Sequence, residues 1–180
     1  MEKKIKKLLL HTCCATCAGY PYFYLSSEYE VTLFYYNPNI YPESEYHSRL
    51  NDLKIFSESS GAVLIIGDYN FQCWDNYIFG LEDELEGGKR CEKCLMFRMQ
   101  KTAFEAKLKN FDYFASTMSI SPHKNSKLIN SIGNSLEQSF GISYLESNFK
   151  AKDGFRKTNE ISKKFNFYRQ NYCGCKYSIR

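Results

Sequence analysis

The stretch Lys7-Leu-Leu-Leu-His-Thr-Cys-Cys-Ala-Thr-Cys17 decides how the chain is read. Its apolar run Lys7–Leu10 has the character of a buried strand, and the helix-like segment Thr16–Glu28 follows directly, with a thiol-rich turn between them. The alternation continues downstream. Strand-like runs at Val31–Tyr36, Ala62–Ile66, Tyr113–Thr117 and, more weakly, Ile142–Leu145 alternate with helix-like segments at Glu43–Ser60, Cys91–Asn110 and Asn125–Phe140. Such a pattern predicts the α/β class: a parallel sheet covered by helices in a single domain. Tyr69–Glu86, with Trp74 and many acids, breaks the alternation as an inserted helix or lid. Residues 1–148 make the α/β core, and residues 149–180 add a short helix, Asn159–Phe165, and an aromatic, basic tail.

Ligands of an open parallel sheet bind beyond the carboxyl ends of its strands. His11, Cys13, Cys14 and Cys17 follow the first strand, Asn37-Pro-Asn-Ile40 the second, Asp68 the third, and Ser119 through Lys124 the fourth. All these polar segments therefore fall on one rim, which places an active site there.

A composition of 43% hydrophobic and 24% charged residues excludes a mostly disordered chain of 180 residues. The net charge of +4 permits a nucleic-acid partner without requiring one. The lysine-led leucine run at the N-terminus is far shorter than the apolar core of a secretory signal, and no stretch approaches membrane-spanning length. A cytoplasmic location with no membrane partner is expected. There, thiols stay reduced, so eight clustered cysteines read as metal ligands or catalytic thiols.

Cys13-Cys14-Ala-Thr-Cys17 sits at a strand-to-helix turn, where backbone N–H groups and the helix dipole favour thiolates. Gly87-Gly-Lys-Arg-Cys91-Glu-Lys-Cys94 opens a helix, and its i, i+3 cysteines share one face. The five thiols suit either a structural zinc or a [4Fe-4S] cluster, and the spacing alone does not separate the two. Cys173-Gly-Cys175 reads as a labile redox pair, as a further ligand pair or as two free thiols in the tail. Cys73 reads as core and His47 as surface. Asp68 reads as an iron ligand or proton carrier, or as a helix cap. Ser121-Pro-His-Lys124 leads a helix whose free N–H groups could hold phosphate. Arg156, Lys163, Lys164, Arg169 and Lys176, interleaved with Phe155, Phe165, Phe167, Tyr168, Tyr172 and Tyr177, suit either stacking on unpaired bases or a flap folded over the domain.

Together, Leu10-His-Thr-Cys-Cys-Ala-Thr-Cys17, Phe34-Tyr-Tyr-Asn-Pro-Asn-Ile40 with Glu45, Tyr46 and Arg49, and Glu86-Gly-Gly-Lys-Arg-Cys-Glu-Lys-Cys94 resemble the QueH family of epoxyqueuosine reductases. Ser121-Pro-His-Lys124, Arg156-x-x-x-Glu160-x-Ser162-Lys163 and Tyr168-Arg-Gln-x-Tyr-Cys-Gly-Cys175 extend the likeness across nearly the whole chain. Thr16 departs from the family's proline and Lys157 from its common serine. The resemblance implies a nucleotide-hydrolase-like (HUP or PP-loop) architecture, with cysteines where relatives bind ATP phosphates. It implies reduction of epoxyqueuosine in a tRNA anticodon loop to queuosine, the last step of that synthesis, with electrons from an unidentified donor. By the same resemblance Cys13, Cys14, Cys91 and Cys94 would hold a [4Fe-4S] cluster, Cys17 and Asp68 would help bind an additional iron, and Cys173 and Cys175 would form a redox-active disulfide. A rim acid such as Asp68, or His123, would supply protons. A zinc-stabilised RNA-binding module is the rival reading. An ATP-dependent enzyme is a weaker one, because no Gly-x-x-x-x-Gly-Lys-Ser/Thr loop is present.

Overall fold

Leu8, Leu9 and Leu10 are wholly excluded from solvent, as a strand must be when it is paired on both edges and covered on both faces. They belong to β1 (Lys6–Thr12), the centre of the five-stranded sheet in a computed structural model that describes residues 5–179. The expectation for the lysine-led N-terminus falls partly on residues 1–4, outside that description. β1 pairs with β2 (Tyr29–Tyr35) and β4 (Tyr113–Ser116); β3 (Val63–Ile66) and the two-residue β5 (Ser143–Tyr144) form the edges. The order is β3-β2-β1-β4-β5, every pair is parallel, and Leu10 lies beside Leu33 on one side and Ala115 on the other.

Alternate side chains of a strand point to opposite faces. Leu8 and Leu10, with Leu33 and Tyr35, pack under α1 (Ala15–Leu25) and α2 (Glu43–Ser60), against Leu50, Leu53 and Phe56. Leu9 and Phe34 face the other way, toward Leu95 and Met99 of α4 (Lys89–Leu108) and Ile129 and Leu136 of α5 (Ser126–Phe140). Each fully buried leucine contributes about 1.5–3 kcal/mol. The helices end where local chemistry says they should. Glu43 and Glu45 sit in the first turn of α2, Asn125 caps the Lys127 and Leu128 amides of α5, and Gly61 and Gly141 close the two helices in the left-handed conformation.

Two elements lie outside this sandwich. α3 (Phe71–Tyr77) is the inserted helix. Its Trp74 is fully buried against Ile78, Cys94 and Cys175, and it is Cys73 next door, expected in the core, that is exposed. α6 (Gly154–Lys164) starts at Gly154 rather than Asn159 and docks on α1: Ser162 Oγ is 2.9 Å from Thr16 Oγ1, and Thr158 Oγ1 donates to the Thr16 carbonyl at 2.6 Å. Thr16, where the family has proline, is thereby fixed by side-chain bonds rather than by a ring. No helix of the described residues is long and apolar enough to cross a membrane.

Candidate functional site

The loop leaving β1 enters α1 through Cys14, which takes the N-cap position: its Sγ accepts the Cys17 amide at 3.4 Å. The Cys13 thiol donates to the same sulfur at 3.9 Å, and Gln170 Nε2 from the tail donates at 3.2 Å. Hydrogen bonding from Cys13 and Cys17, ahead of the other donors, holds Cys14 well below the ordinary thiol range, while the same network pushes Cys13 up to about 11 and Cys17 well upward. The sulfurs of Cys13, Cys14 and Cys17 lie within 4.8 Å of one another. Two thiolates on one tetrahedral ion at about 2.3 Å would stand about 3.8 Å apart, and the Cys13–Cys14 separation of 3.9 Å matches that spacing.

The second thiol pair opens α4. Gly87, at φ 91°, lets its amide turn back onto Cys91 Sγ at 3.2 Å. Cys94 is buried, and that burial raises its pKa. One turn further on is Arg98, at i+4 from Cys94 and only 4% exposed. Its Nη1 donates to Asn37 Oδ1 at 3.3 Å and its Nε to the Cys94 carbonyl at 3.4 Å, and Asn37 in turn bonds the Thr12 carbonyl at 2.9 Å. The guanidinium interacts electrostatically with Cys94, Cys173, Cys13 and Cys91. Thiols distant in sequence thus feel one cation at the carboxyl edge of β1, where the strand order turns back between β1 and β4, although among the described residues only Cys13, Cys14 and Cys17 form a group within 4.8 Å of one another.

The tail supplies the rest. Arg49, 2% exposed and paired with Glu45 at 2.7 Å, donates to the carbonyls of Tyr172 and Cys173, each at 3.2 Å. Gly174, at φ 109°, is the hinge this clamp requires, and its carbonyl accepts the Tyr41 amide at 2.8 Å. Lys124 Nζ donates to Cys173 Sγ at 3.1 Å. Cys175 packs among Trp74, Ile78 and Cys94, where burial pushes its thiol to about 11. Both thiols are free.

The remaining candidates divide. His11 is fully buried between Ser116 Oγ (3.2 Å) and the Tyr36 carbonyl (3.1 Å), and desolvation drops it to about 4, so it is a neutral brace beneath the rim. Asp68 is exposed and faces Lys101 at 3.8 Å, outside the sulfur group. His123 is exposed beside Lys124, and His47 pairs with Glu43 on the surface. The Lys124 ammonium of the expected phosphate turn is spent on a sulfur. Phe165 and Phe167 pack against Phe56, so much of the tail is a flap folded over the domain; Phe155 and Tyr168 stay more than 40% exposed. Tyr69–Glu86 is fastened rather than lid-like, since the buried Arg90 bonds the Leu81, Glu82 and Glu84 carbonyls. Arg98 and the sulfur contacts of Gln170 and Lys124 were not foreseen from the sequence. The spacing of Cys91, Cys94 and Arg98 at i, i+3 and i+7 was the signal available for the first.

Buried polar atoms on these loops are also left over. Asn39 Oδ1, Thr117 Oγ1 and Gln170 Oε1 have no hydrogen-bond partner among the described residues. Unpaired buried groups of this kind are uncommon in folded proteins. The fold and site define an α/β protein with a cluster of thiols at the position where open parallel sheets bind their ligands.

Comparison with known proteins specifies the class further. The family model of epoxyqueuosine reductase QueH matches residues 8–180. Epoxyqueuosine reductase QueH of Streptococcus pyogenes serotype M1 is 38% identical over 179 residues, covering 96% of this chain and 70% of that protein. The Thermotoga maritima protein of the same name is 33% identical over 175 residues, covering 96% and 90%. The chain belongs to the epoxyqueuosine reductase QueH family. Among solved structures, the U34-tRNA thiolase NcsA from Methanococcus maripaludis with its [4Fe-4S] cluster superposes with a TM-score of 0.62 at 13% identity, over 97% of this chain and 61% of that one. At that identity the likeness speaks for the fold, which is the nucleotide-hydrolase-like architecture the sequence led us to expect.

Proposed function

We propose that this protein reduces epoxyqueuosine in a tRNA anticodon loop to queuosine, with an iron–sulfur cluster held by Cys13, Cys14, Cys91 and Cys94 and with Cys173 and Cys175 as a dithiol. The observation that carries the reading is the close trio Cys13, Cys14 and Cys17, with Cys13, Cys91, Cys94 and Cys173 all within electrostatic reach of the buried Arg98. Family membership gives the reaction its substrate. When bound, a [4Fe-4S] cluster supplies electrons one at a time.

Opening an epoxide to an alkene and water consumes two electrons and two protons. Oxidation of the two thiols to one disulfide releases the same number of each, and an external donor of electrons then restores the dithiol. Cys173, half-buried and beside the Lys124 ammonium, is the sulfur positioned for exchange, and the buried Cys175 is its partner. His123 stands on the same loop as Lys124 and is exposed, which suits it to deliver protons at the rim. Asp68, exposed and turned to Lys101, suits that role better than ligation of a second iron. Cys17, in the same trio and outside the proposed cluster set, is the thiol free to take an additional iron.

The test is anaerobic purification with iron and sulfide analysis, followed by single and multiple turnovers on epoxyqueuosine-containing tRNA. Cys175→Ala should keep the cluster spectrum and the iron content but lose multiple turnovers. Zinc without iron or sulfide would favour the RNA-binding rival, and undiminished turnover by Cys175→Ala would eliminate the thiol relay.

A further inference from the structure

A guanidinium buried to 4% exposure normally has a carboxylate beside it, because an unpaired buried charge costs several kcal/mol. Arg98 has none. Among the described residues no Asp or Glu forms an ion pair with it, and its hydrogen bonds go to the neutral acceptors Asn37 Oδ1 and the Cys94 carbonyl. Lys124 also lacks a carboxylate partner among the described residues: its ammonium is on Cys173 Sγ at 3.1 Å and feels both Cys94 and the positive charge of Arg98. The two cations therefore repel each other and act on the same thiols, with no carboxylate paired to either among the described residues.

We propose that Arg98 and Lys124 are positioning residues that serve as the built-in countercharge of the iron–sulfur centre and set its reduction potential. The inference rests on the cluster reading given above. An oxidised [4Fe-4S] core with four thiolate ligands carries a net double negative charge, which two cations match, and it gains a further negative charge on reduction. Fixed positive charge nearby favours the reduced form, and net charge and surroundings are among the chief levers on such potentials. The placement is specific. Arg98 rises from the same face of α4 as Cys91 and Cys94, and it is held from the far side by Asn37, itself anchored to β1 at Thr12. Lys124 approaches from the loop after β4 and touches Cys173, the sulfur that the proposed reaction oxidises.

The test is a redox titration of the anaerobically loaded protein, followed by visible absorption and EPR, for the wild type, Arg98→Met, Lys124→Met and the charge-conserving Arg98→Lys and Lys124→Arg. Each neutral variant should hold about tenfold less reduced cluster at a fixed poise, equivalent to about 59 mV for a one-electron couple, and the charge-conserving pair should titrate near the wild type. A purely structural role would leave the potential unmoved. Loss of iron from both neutral variants, with retention in both charge-conserving ones, also supports the proposal. Loss from all four variants overturns it, as does a wild-type potential in loaded neutral variants; in both cases the loaded wild type leaves the cluster reading standing. A wild type that takes up no iron and sulfide overturns that reading and this inference together.

Discussion

Replacing Arg49 with Met tests how the tail is held over the thiol site. The guanidinium makes a 2.7 Å ion pair with Glu45 and bonds to two tail carbonyls at 3.2 Å, and it lies over the Tyr172 ring at 5.5 Å. Each charge-assisted bond is worth about 1.5–3 kcal/mol, so simple addition of three gives about 5–9 kcal/mol. That sum overshoots: Tyr172 and Cys173 are only half-buried, so water can reach the freed carbonyls, and Tyr168 Oη still donates to Glu45 Oε2 at 2.9 Å. What remains is the cost of breaking a buried pair, about 3–5 kcal/mol. In a domain of this size that corresponds to a fall in Tm of about 6–20 °C. Urea unfolding of the metal-free protein, with Glu45→Gln and the double variant completing the cycle, gives the stability and the coupling; the coupling should exceed about 1 kcal/mol. In parallel, alkylation of Cys173 and Cys175 should speed up as the tail loosens. A loss below about 1 kcal/mol with unchanged thiol reactivity would refute the clamp.

Further predictions follow from other parts of the structure. Gly174→Ala places a side chain at φ 109°, with its Cβ 3.0 Å from Arg49 Nη1, so about 1–3 kcal/mol of strain and slowed turnover with unchanged iron content are expected from unfolding curves and metal analysis. His11 is held at about 4 against an ordinary 6.5, so between those values the unfolded chain takes up a proton that the fold refuses. Stability should therefore fall as pH drops through that window, by about 3 kcal/mol at its foot, and His11→Gln should flatten the profile in urea titrations. Lys163 and Lys164 are exposed on α6; if they meet phosphates, tRNA affinity falls with salt, and their double replacement by alanine reduces the salt slope by about one to two. A slope unchanged by the replacement would move the RNA to another face.

Much of this architecture was readable before any coordinates, and the reason is periodicity. The Leu8–Leu10 run and the β-branched and aromatic strands are local signals. They placed all five strands, and the expected α2, Glu43–Ser60, agrees with the observed helix. The rim was readable because strand ends in a parallel sheet all point one way. What could not be read was burial that only packing decides. Trp74 and Cys73 are neighbours with opposite fates, because α3 turns one face to Cys94 and leaves the other in water. His11 looked like a rim group, yet its place in the central strand seals it beneath the rim. Arg98 and Arg49 resembled ordinary helix-surface charges, since nothing local distinguishes a guanidinium that will be enclosed by a tail arriving more than 70 residues later. The aromatic tail was ambiguous for the same reason: stacking on bases and stacking on Phe56 demand the same side chains.

The latch between Thr16 and α6 has a mechanical consequence. The Cys13–Cys17 loop grows from the strand at the middle of the sheet, the part of such a fold whose amides exchange last, whereas Cys173 and Cys175 ride on a peripheral segment gripped at a few points. Local openings will therefore release the chain end long before they disturb the loop, and the α6 bonds to Thr16 set how far that release can spread. The molecule has a stiff seat and a compliant arm, so the arm's sulfurs can be serviced from outside while the seat stays closed.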